Sequence, residues 1–160
     1  MKNILVIVLL FIGNVLFSQG SQIVLDLKTS NDDTGKSLGG VTVEIFQDGK
    51  KEKTETSSSK GKVAIVLVPV GHMYLIKYKK QGYVTKIVQL DGHYDTEEDL
   101  DDEIYRDIEG SLFEYVDGVD FSFLENEPIV KFEFTADGYQ FTYDPEHLKQ
   151  MKKKITKLKD

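Results

Sequence analysis

Residues 22–90 alternate short apolar segments with turn-forming residues, and this pattern constrains the fold more than any other feature of the chain. In QIVLDLK, every second residue is apolar, which is the two-residue period of a β-strand. VTVEIFQ and HMYLIKYKK alternate in the same way, and Asp48-Gly49 after the first of them favours a tight hairpin turn. No helical period appears in this half. Several short strands separated by regular turns predict a mainly β fold, an Ig-like antiparallel β-sandwich.

Three segments of this half predict how individual strands are placed. The polar segment KKEKTETSS indicates an exposed or edge strand, because lysines on an edge discourage pairing with other sheets. KVAIVLV is apolar on both faces, which predicts a central strand that ends at Pro69, since proline cannot donate a ladder hydrogen bond. In the next strand we expect Tyr74, Ile76 and Tyr78 to point inward.

The order of residues at 21–91 resembles the carboxypeptidase regulatory-like domain. GKSLGGVTVEIFQDGK and then SSKGKVAIVLVPVGHMYLIKYKKQGYVTKIVQL follow that family's pattern of two glycine-led strands, a Pro-x-Gly-x-Tyr step and a Gly-Tyr pair, with Met73 as one extra residue. The matching positions are Gly40, Val41, Val43, Gly61, Val63, Ile65, Leu67, Pro69, Gly71, Tyr74, Gly82 and Tyr83. The resemblance implies a prealbumin-like (transthyretin-like), seven-stranded sandwich, usually a non-catalytic accessory unit of exported and envelope proteins.

Residues 92–160 are predicted to pack with this sandwich as an acidic loop, extra strands and a C-terminal helix. PIVKFEF and YQFTYD alternate like strands, and Asp117-Gly118 joins two apolar runs as in a hairpin. Asp144, Pro145 and Glu146 predict the start of an amphipathic helix over 144–159, because they supply an N-cap, a first-turn proline and an acid at the positive end of the helix dipole. The apolar stripe of this helix consists of Leu148, Met151, Ile155 and Leu158. This C-terminal pattern also resembles short Gram-negative envelope proteins, a resemblance that brings no activity with it.

The first twenty residues predict a signal peptide, with Lys2 before an apolar segment at 4–17 and small residues at 18–20. The apolar segment is shorter than the roughly 18 to 20 residues of a spanning helix, so cleavage is favoured over its alternative, an uncleaved membrane anchor. The absence of cysteine excludes disulfides, a thiol nucleophile and a lipid-modified cysteine. We therefore expect a secreted protein of the bacterial cell envelope, either periplasmic or extracellular and associated with the outer membrane.

The net charge of -7 is unevenly distributed, and residues 91–128 hold fifteen acids beside Arg106. Nucleic acid is not an expected partner, because the chain is acidic and exported, whereas binding to phosphates relies on a basic surface. The densest run of acids, at 95–103, predicts a solvated loop, and calcium is the alternative because this cation takes oxygen ligands from short loops. The EF-hand spacing is not met, since Leu100 stands where the turn glycine is needed.

Neither a catalytic residue nor a cofactor or metal site is predicted. The three histidines form no close pair of the kind that zinc sites use, and no Gly-x-Ser-x-Gly motif is present. Lys60-Gly61-Lys62 lacks the glycine-rich loop and the Ser or Thr that a phosphate-binding P-loop requires. Hydroxyisourate hydrolases share the prealbumin-like fold and end in Tyr-Arg-Gly-Ser, whereas this chain ends ITKLKD.

The resulting prediction is a non-catalytic module that binds a protein or a glycan of the envelope. A glycan binder should place Tyr94, Tyr105 or Tyr115 in a groove. One alternative is a structural spacer, which should show no exposed aromatic cluster. The lysine-rich C-terminal helix offers peripheral contact with anionic membranes, but docking on the protein's own sheet is favoured because its apolar stripe is narrow.

The other alternative is a small hydrolase with a carboxylate and histidine site. It requires His93, Asp95 and Asp99 to converge in a concave pocket. Acids are abundant in this region, and the sequence does not show which of their carboxylates lie close together in space.

Overall fold

The computed structural model of the chain describes residues 21–93, 103–135 and 140–159, which form two packed β-sheets and a C-terminal α-helix. The strands are β1 (Gln22–Asn31), β2 (Thr42–Gln47), β3 (Lys50–Thr56), β4 (Val66–Pro69), β5 (Met73–Lys79), β6 (Lys86–Asp91), β7 (Ile104–Leu112), β8 (Val130–Thr135) and β9 (Gln140–Tyr143). A 3₁₀ helix spans Ser122–Glu125, and the α-helix, α1, spans Pro145–Lys159. The prediction of a mainly β sandwich with a C-terminal helix is confirmed. The predicted signal peptide and most of the predicted acidic loop, residues 94–102, lie outside the described residues.

The two sheets differ in size and in the direction of their strands. One sheet has the order β4-β1-β7 and the other the order β3-β2-β5-β6-β8-β9. The pairs β1–β7 and β6–β8 are parallel, and the remaining named pairs are antiparallel. An alternating sequence shows which face of a strand is buried but not the direction of its neighbour. The sequence therefore could not predict that these two pairs are parallel.

Both halves of the sequence build one core between the sheets. The expected inward residues are buried: Ile23, Leu25, Leu27, Val41, Val43, Ile45, Tyr74, Ile76 and Tyr78. They pack with Ile104 and Ile108 of β7, Phe132 of β8 and Phe141 of β9 in the same cluster. The extra strands of the second half therefore complete the core that the first half begins.

The structure corrects the position of one strand. KVAIVLV was predicted to be central, but β4 lies at an edge of the small sheet, with Ile65 64% and Leu67 53% exposed. A segment that is apolar on both faces does not reveal whether a second layer covers its outer face. Pro69 ends the strand as predicted, and β3 is an edge strand as predicted.

The hairpin predicted at Asp117-Gly118 is wrong. Gly118 does turn the chain, with a φ of 77°, but a 3₁₀ helix follows where a strand was expected. Phe121 directly precedes this helix and Leu124 lies within it, and the N–H of Leu124 donates to the carbonyl oxygen of Phe121 at 2.9 Å, so the turn brings the two residues to the same side. There they join Phe113 in a second, smaller core.

The C-terminal helix closes this second core. Asp144 caps it as predicted, because its Oδ1 accepts hydrogen bonds from the backbone N–H groups of Glu146 (2.9 Å) and His147 (3.0 Å). Met151 and Ile155 are buried in the second core, whereas Leu158 at the end of the stripe is 37% exposed. No helix within the described ranges is both long and apolar enough to cross a membrane.

Candidate functional site

A shallow groove of about 320 Å³ lies at the end of the six-stranded sheet where β5 turns into β6. The turn is closed by the N–H of Tyr83, which donates to the carbonyl oxygen of Lys80 at 3.0 Å. Gly82 has a φ of 83°, a left-handed conformation that costs glycine little. The residues that line the groove are Gly40, Thr42, Lys79, Lys80, Gln81, Gly82, Tyr83, Thr85 and Tyr115.

Two tyrosines are brought together in this groove by the segment that follows β7. The N–H of Tyr115 donates to the carbonyl oxygen of Gly82 at 3.1 Å, and Glu114 forms a β-bridge with Tyr83. The hydroxyl of Tyr83 donates to Oε1 of Glu114 at 3.2 Å. Tyr115 is 53% exposed and Tyr83 is half-buried, so both rings present part of their surface to a ligand. A tyrosine combines an apolar ring with a hydrogen-bonding hydroxyl, which suits partners that are themselves amphipathic.

Two lysines add positive charge to the groove, and its lining contains no acid. Lys80 donates from Nζ to the carbonyl oxygen of Gly39 at 2.8 Å. Lys79 forms an ion pair with Glu44, and this hydrogen bond holds the pKa of the Glu44 carboxyl below its usual value, although burial acts in the opposite direction. An ammonium group has three donors, so one bond to a carbonyl leaves Lys80 able to bind a further acceptor.

The three tyrosines predicted for a groove fall in different places. Tyr115 lies in the groove, whereas Tyr94 lies outside the described residues. Tyr105 is 72% exposed on the other sheet, where the register places it beside Val24 of β1. Sequence reasoning assigned Tyr83 to the scaffold, although its position directly after a turn glycine was a signal that its ring could lie at a loop edge.

The residues of the hydrolase alternative are described only in part. His93 is an exposed residue whose Nδ1 lies 2.7 Å from Oδ1 of Asp91. Asp95 and Asp99 lie outside the described residues, so a site centred on His93 stays a prediction. The same applies to calcium at 95–103, of which only Glu103 is described. Within the described ranges, no group of three or more histidine or acidic side chains is placed to hold a metal ion.

A second histidine–carboxylate pair lies near the His93–Asp91 pair, at the end of the six-stranded sheet that is opposite the groove. Nδ1 of His72 lies 2.6 Å from Oδ2 of Asp48, and the N–H of Met73 donates to Oδ1 of the same carboxyl at 3.0 Å. The hydrogen bond from His72, followed by that from Met73, lowers the pKa of Asp48. These contacts tie the β2–β3 turn to the start of β5, which is a structural role.

Comparison with known proteins yields distant structural similarities. No protein-family model and no curated protein sequence matches the chain. A 3-chlorocatechol 1,2-dioxygenase from Rhodococcus opacus 1CP is similar at 11% identity and a TM-score of 0.45, over 60% of this chain and 60% of that chain. A catechol 1,2-dioxygenase from Acinetobacter sp. ADP1 is similar at 15% identity and a TM-score of 0.46, over 67% of this chain and 57% of that chain.

A pilus 2b backbone protein of group B streptococcus is similar at 19% identity and a TM-score of 0.40, over 59% of this chain and 41% of that chain. The chain thus spans three fifths or less of the length of each of these three proteins. At these identities and TM-scores, nothing that those proteins do is carried over to this chain.

Proposed function

We propose that the chain is an exported, non-catalytic β-sandwich module of the bacterial cell envelope, of the carboxypeptidase regulatory-like type, that binds a glycan. The signal peptide predicted for residues 1–20 and the resemblance of residues 21–91 to the carboxypeptidase regulatory-like domain support the location and the type of module. The observation that favours a glycan as the partner is the pair of tyrosines in the groove, Tyr83 and Tyr115.

The shape and lining of the groove favour a glycan over a protein. The groove is shallow and open, and its lining offers two aromatic rings together with the hydrogen-bonding side chains of Thr42, Gln81 and Thr85. A sugar ring has an apolar face and hydroxyl groups at its edge, so it can pack on tyrosine while the edge is hydrogen-bonded. Protein interfaces of ordinary size have a larger apolar centre that excludes water.

Lys80 favours a glycan that carries carboxylates, such as one built from uronic acids. Hydrogen bonds between an ammonium and a carboxylate are stronger than neutral ones. Lys79 already pairs with Glu44, whereas Lys80 bonds to a carbonyl oxygen and pairs with no acid among the described residues. A structural spacer has no need of exposed tyrosines beside free donors, which is why binding is favoured over that alternative.

Replacing Tyr115 by alanine is expected to weaken glycan binding about tenfold, because the more exposed aromatic surface of the groove is lost. The measurement is isothermal titration calorimetry of the purified chain with a hexamer of galacturonic acid, with and without calcium. Cellohexaose, a neutral hexasaccharide, is expected to bind more weakly because it gives the lysines no carboxylate.

The matched control is Tyr105→Ala, which removes an equally large and even more exposed ring from the other sheet. We expect this control to leave the affinity unchanged. Equal losses in both variants, or no saturable binding of either hexasaccharide in both calcium conditions, would contradict the proposal.

A further inference from the structure

A second cavity, of about 460 Å³, lies between the sandwich and α1. It is separate from the tyrosine groove, because the two linings share no residue. Val88 of β6, Ile129 before β8 and Ile155 of α1 supply apolar walls. A volume of this size is typical of sites for small organic ligands.

Two polar side chains stand next to each other in the wall of this cavity. Tyr78 of β5 and Lys86 of β6 are directly opposed in the antiparallel register, so their side chains lie on the same face of the sheet. Tyr78 is fully buried, and its hydroxyl has no hydrogen-bond partner among the described residues. Burial raises the pKa of this hydroxyl, so it is a protonated donor at every physiological pH.

Lys86 is the only described lysine in the buried class, with 4% of its surface exposed. Its Nζ lies 3.0 Å from Oδ2 of Asp32 and 4.8 Å from the centre of the Phe113 ring. Asp32 is 43% exposed in its side chain and remains accessible to water. Burial lowers the pKa of Lys86 in spite of this partner, which means that the charged ammonium is costly to keep at this position.

The fold itself requires neither of these polar groups. A methionine at position 86 would fill the space of the lysine without burying a charge, and Asp32 would remain hydrated. A phenylalanine at position 78 would pack the same ring without an unpaired hydroxyl. A buried hydroxyl without a partner and a lysine whose charge is costly to bury are typical of binding sites when both line a cavity.

The helix side of the cavity contributes two lysines, one of which is paired with an acid. Lys152 is exposed at the mouth and forms no ion pair with the described residues, whereas Lys159 bonds to Asp33 at 2.8 Å. Glu109, the remaining acid of the lining besides Asp32, lies exposed on β7. A ligand therefore meets an apolar interior, a buried ammonium and hydroxyl, and a rim that carries both Lys152 and Glu109.

We propose that this cavity binds a small monocarboxylic acid with an apolar body. Its carboxylate accepts hydrogen bonds from Lys86 and from the Tyr78 hydroxyl, and its apolar body packs against Val88 and Ile155. This site goes beyond the proposed glycan binding and does not depend on it.

The test is isothermal titration calorimetry of the purified full chain with octanoate and with 1-octanol. These probes share an apolar tail and differ in the carboxylate. We expect saturable binding of octanoate and at least tenfold weaker binding of 1-octanol. Lys86→Met is expected to weaken octanoate binding about tenfold or more, and Tyr78→Phe about fivefold, because each removes a donor to the carboxylate.

The matched control is Lys154→Met, which removes the same charge from α1 at a lysine that pairs with Glu127 and does not line the cavity. It is expected to keep the octanoate affinity. Should Lys86→Met fail to fold, Tyr78→Phe decides, since it removes a single oxygen from a buried ring. No saturable octanoate binding, equal affinity for 1-octanol, or full affinity in the Tyr78→Phe variant would overturn the proposal. None of these results bears on the galacturonic acid titration, so the two sites fail independently.

Discussion

Replacing Gly110 by alanine is expected to destabilise the folded chain by about 3 kcal/mol, an overpacking cost at the upper end of the usual range. Gly110 lies in β7 of the small sheet, directly against the ring of Tyr78 from the large sheet. A methyl group at position 110 would lie 2.3 Å from Cδ1 and 2.5 Å from Cε1 of that ring. Both residues are buried, so the sheets must move apart or the ring must leave its position. Urea unfolding followed by circular dichroism measures the change.

A double-mutant cycle identifies the cause of this loss. In a chain that already carries Tyr78→Leu, the ring is gone, and Gly110→Ala is expected to cost about 1 kcal/mol or less. A cost near 3 kcal/mol in both backgrounds would show that the ring is not the obstacle and that the two sheets are not packed as described.

Replacing Gly61 by alanine is expected to destabilise the chain by about 3 kcal/mol or more, because two separate costs add. The φ of Gly61 is 70°, a left-handed conformation that L-residues with a side chain rarely adopt. A methyl group would also lie 2.2 Å from the carbonyl oxygen of Thr29 in β1. That contact is with backbone, and the same two residues are joined by a hydrogen bond from Thr29 N–H to Gly61 O at 2.8 Å. The turn at Gly61 cannot move away from β1 without breaking this hydrogen bond.

Gly35→Ala separates the two costs. Gly35 has a φ of 65° and no atom within 4 Å of an added methyl group, so it tests the left-handed conformation alone. We expect a loss of about 1 kcal/mol there. Urea unfolding of Gly61→Ala and Gly35→Ala gives the comparison. An equal loss in the free energy of unfolding in both variants would contradict the close approach of the Gly61 turn to β1.

The strands of the first half were predictable because alternation is a local signal of one buried face. Ile23, Leu25 and Leu27 show it in β1, and Tyr74, Ile76 and Tyr78 show it in β5. The turn at Asp48-Gly49 was also predictable, since both residues have the positive φ that this dipeptide favours. The helix start was predictable for the same reason, because Asp144 acts on N–H groups two and three residues away.

The errors concern contacts between residues far apart in the sequence. β4 lies at an edge because β1 is the only described strand that pairs with it, and β7, which extends the small sheet, joins β1 on its other side. The segment after Gly118 became a 3₁₀ helix because Phe121 and Leu124 find partners in Phe113 and α1. No local pattern contains these partners.

The candidate site illustrates the same limit. Tyr115 was predicted as a possible groove residue, but its partner Tyr83 was interpreted as scaffold, since the two are brought together only by the bridge between Tyr83 and Glu114. Likewise, Lys86 in KIVQL has the sequence context of an outward-facing strand lysine, and its burial depends on Phe113 and α1. Candidate site residues whose placement depends on distant packing leave little signal in their immediate neighbours.

Nuclear magnetic resonance of the ¹⁵N-labelled chain tests most directly whether the tyrosine groove binds a glycan. On titration with a hexamer of galacturonic acid, we expect the backbone amide shifts of residues 80–83 and Tyr115 to change, while those of Lys86 and Tyr105 stay unchanged. Shift changes centred on Tyr105, or an unchanged spectrum at millimolar hexamer, would contradict glycan binding in the groove.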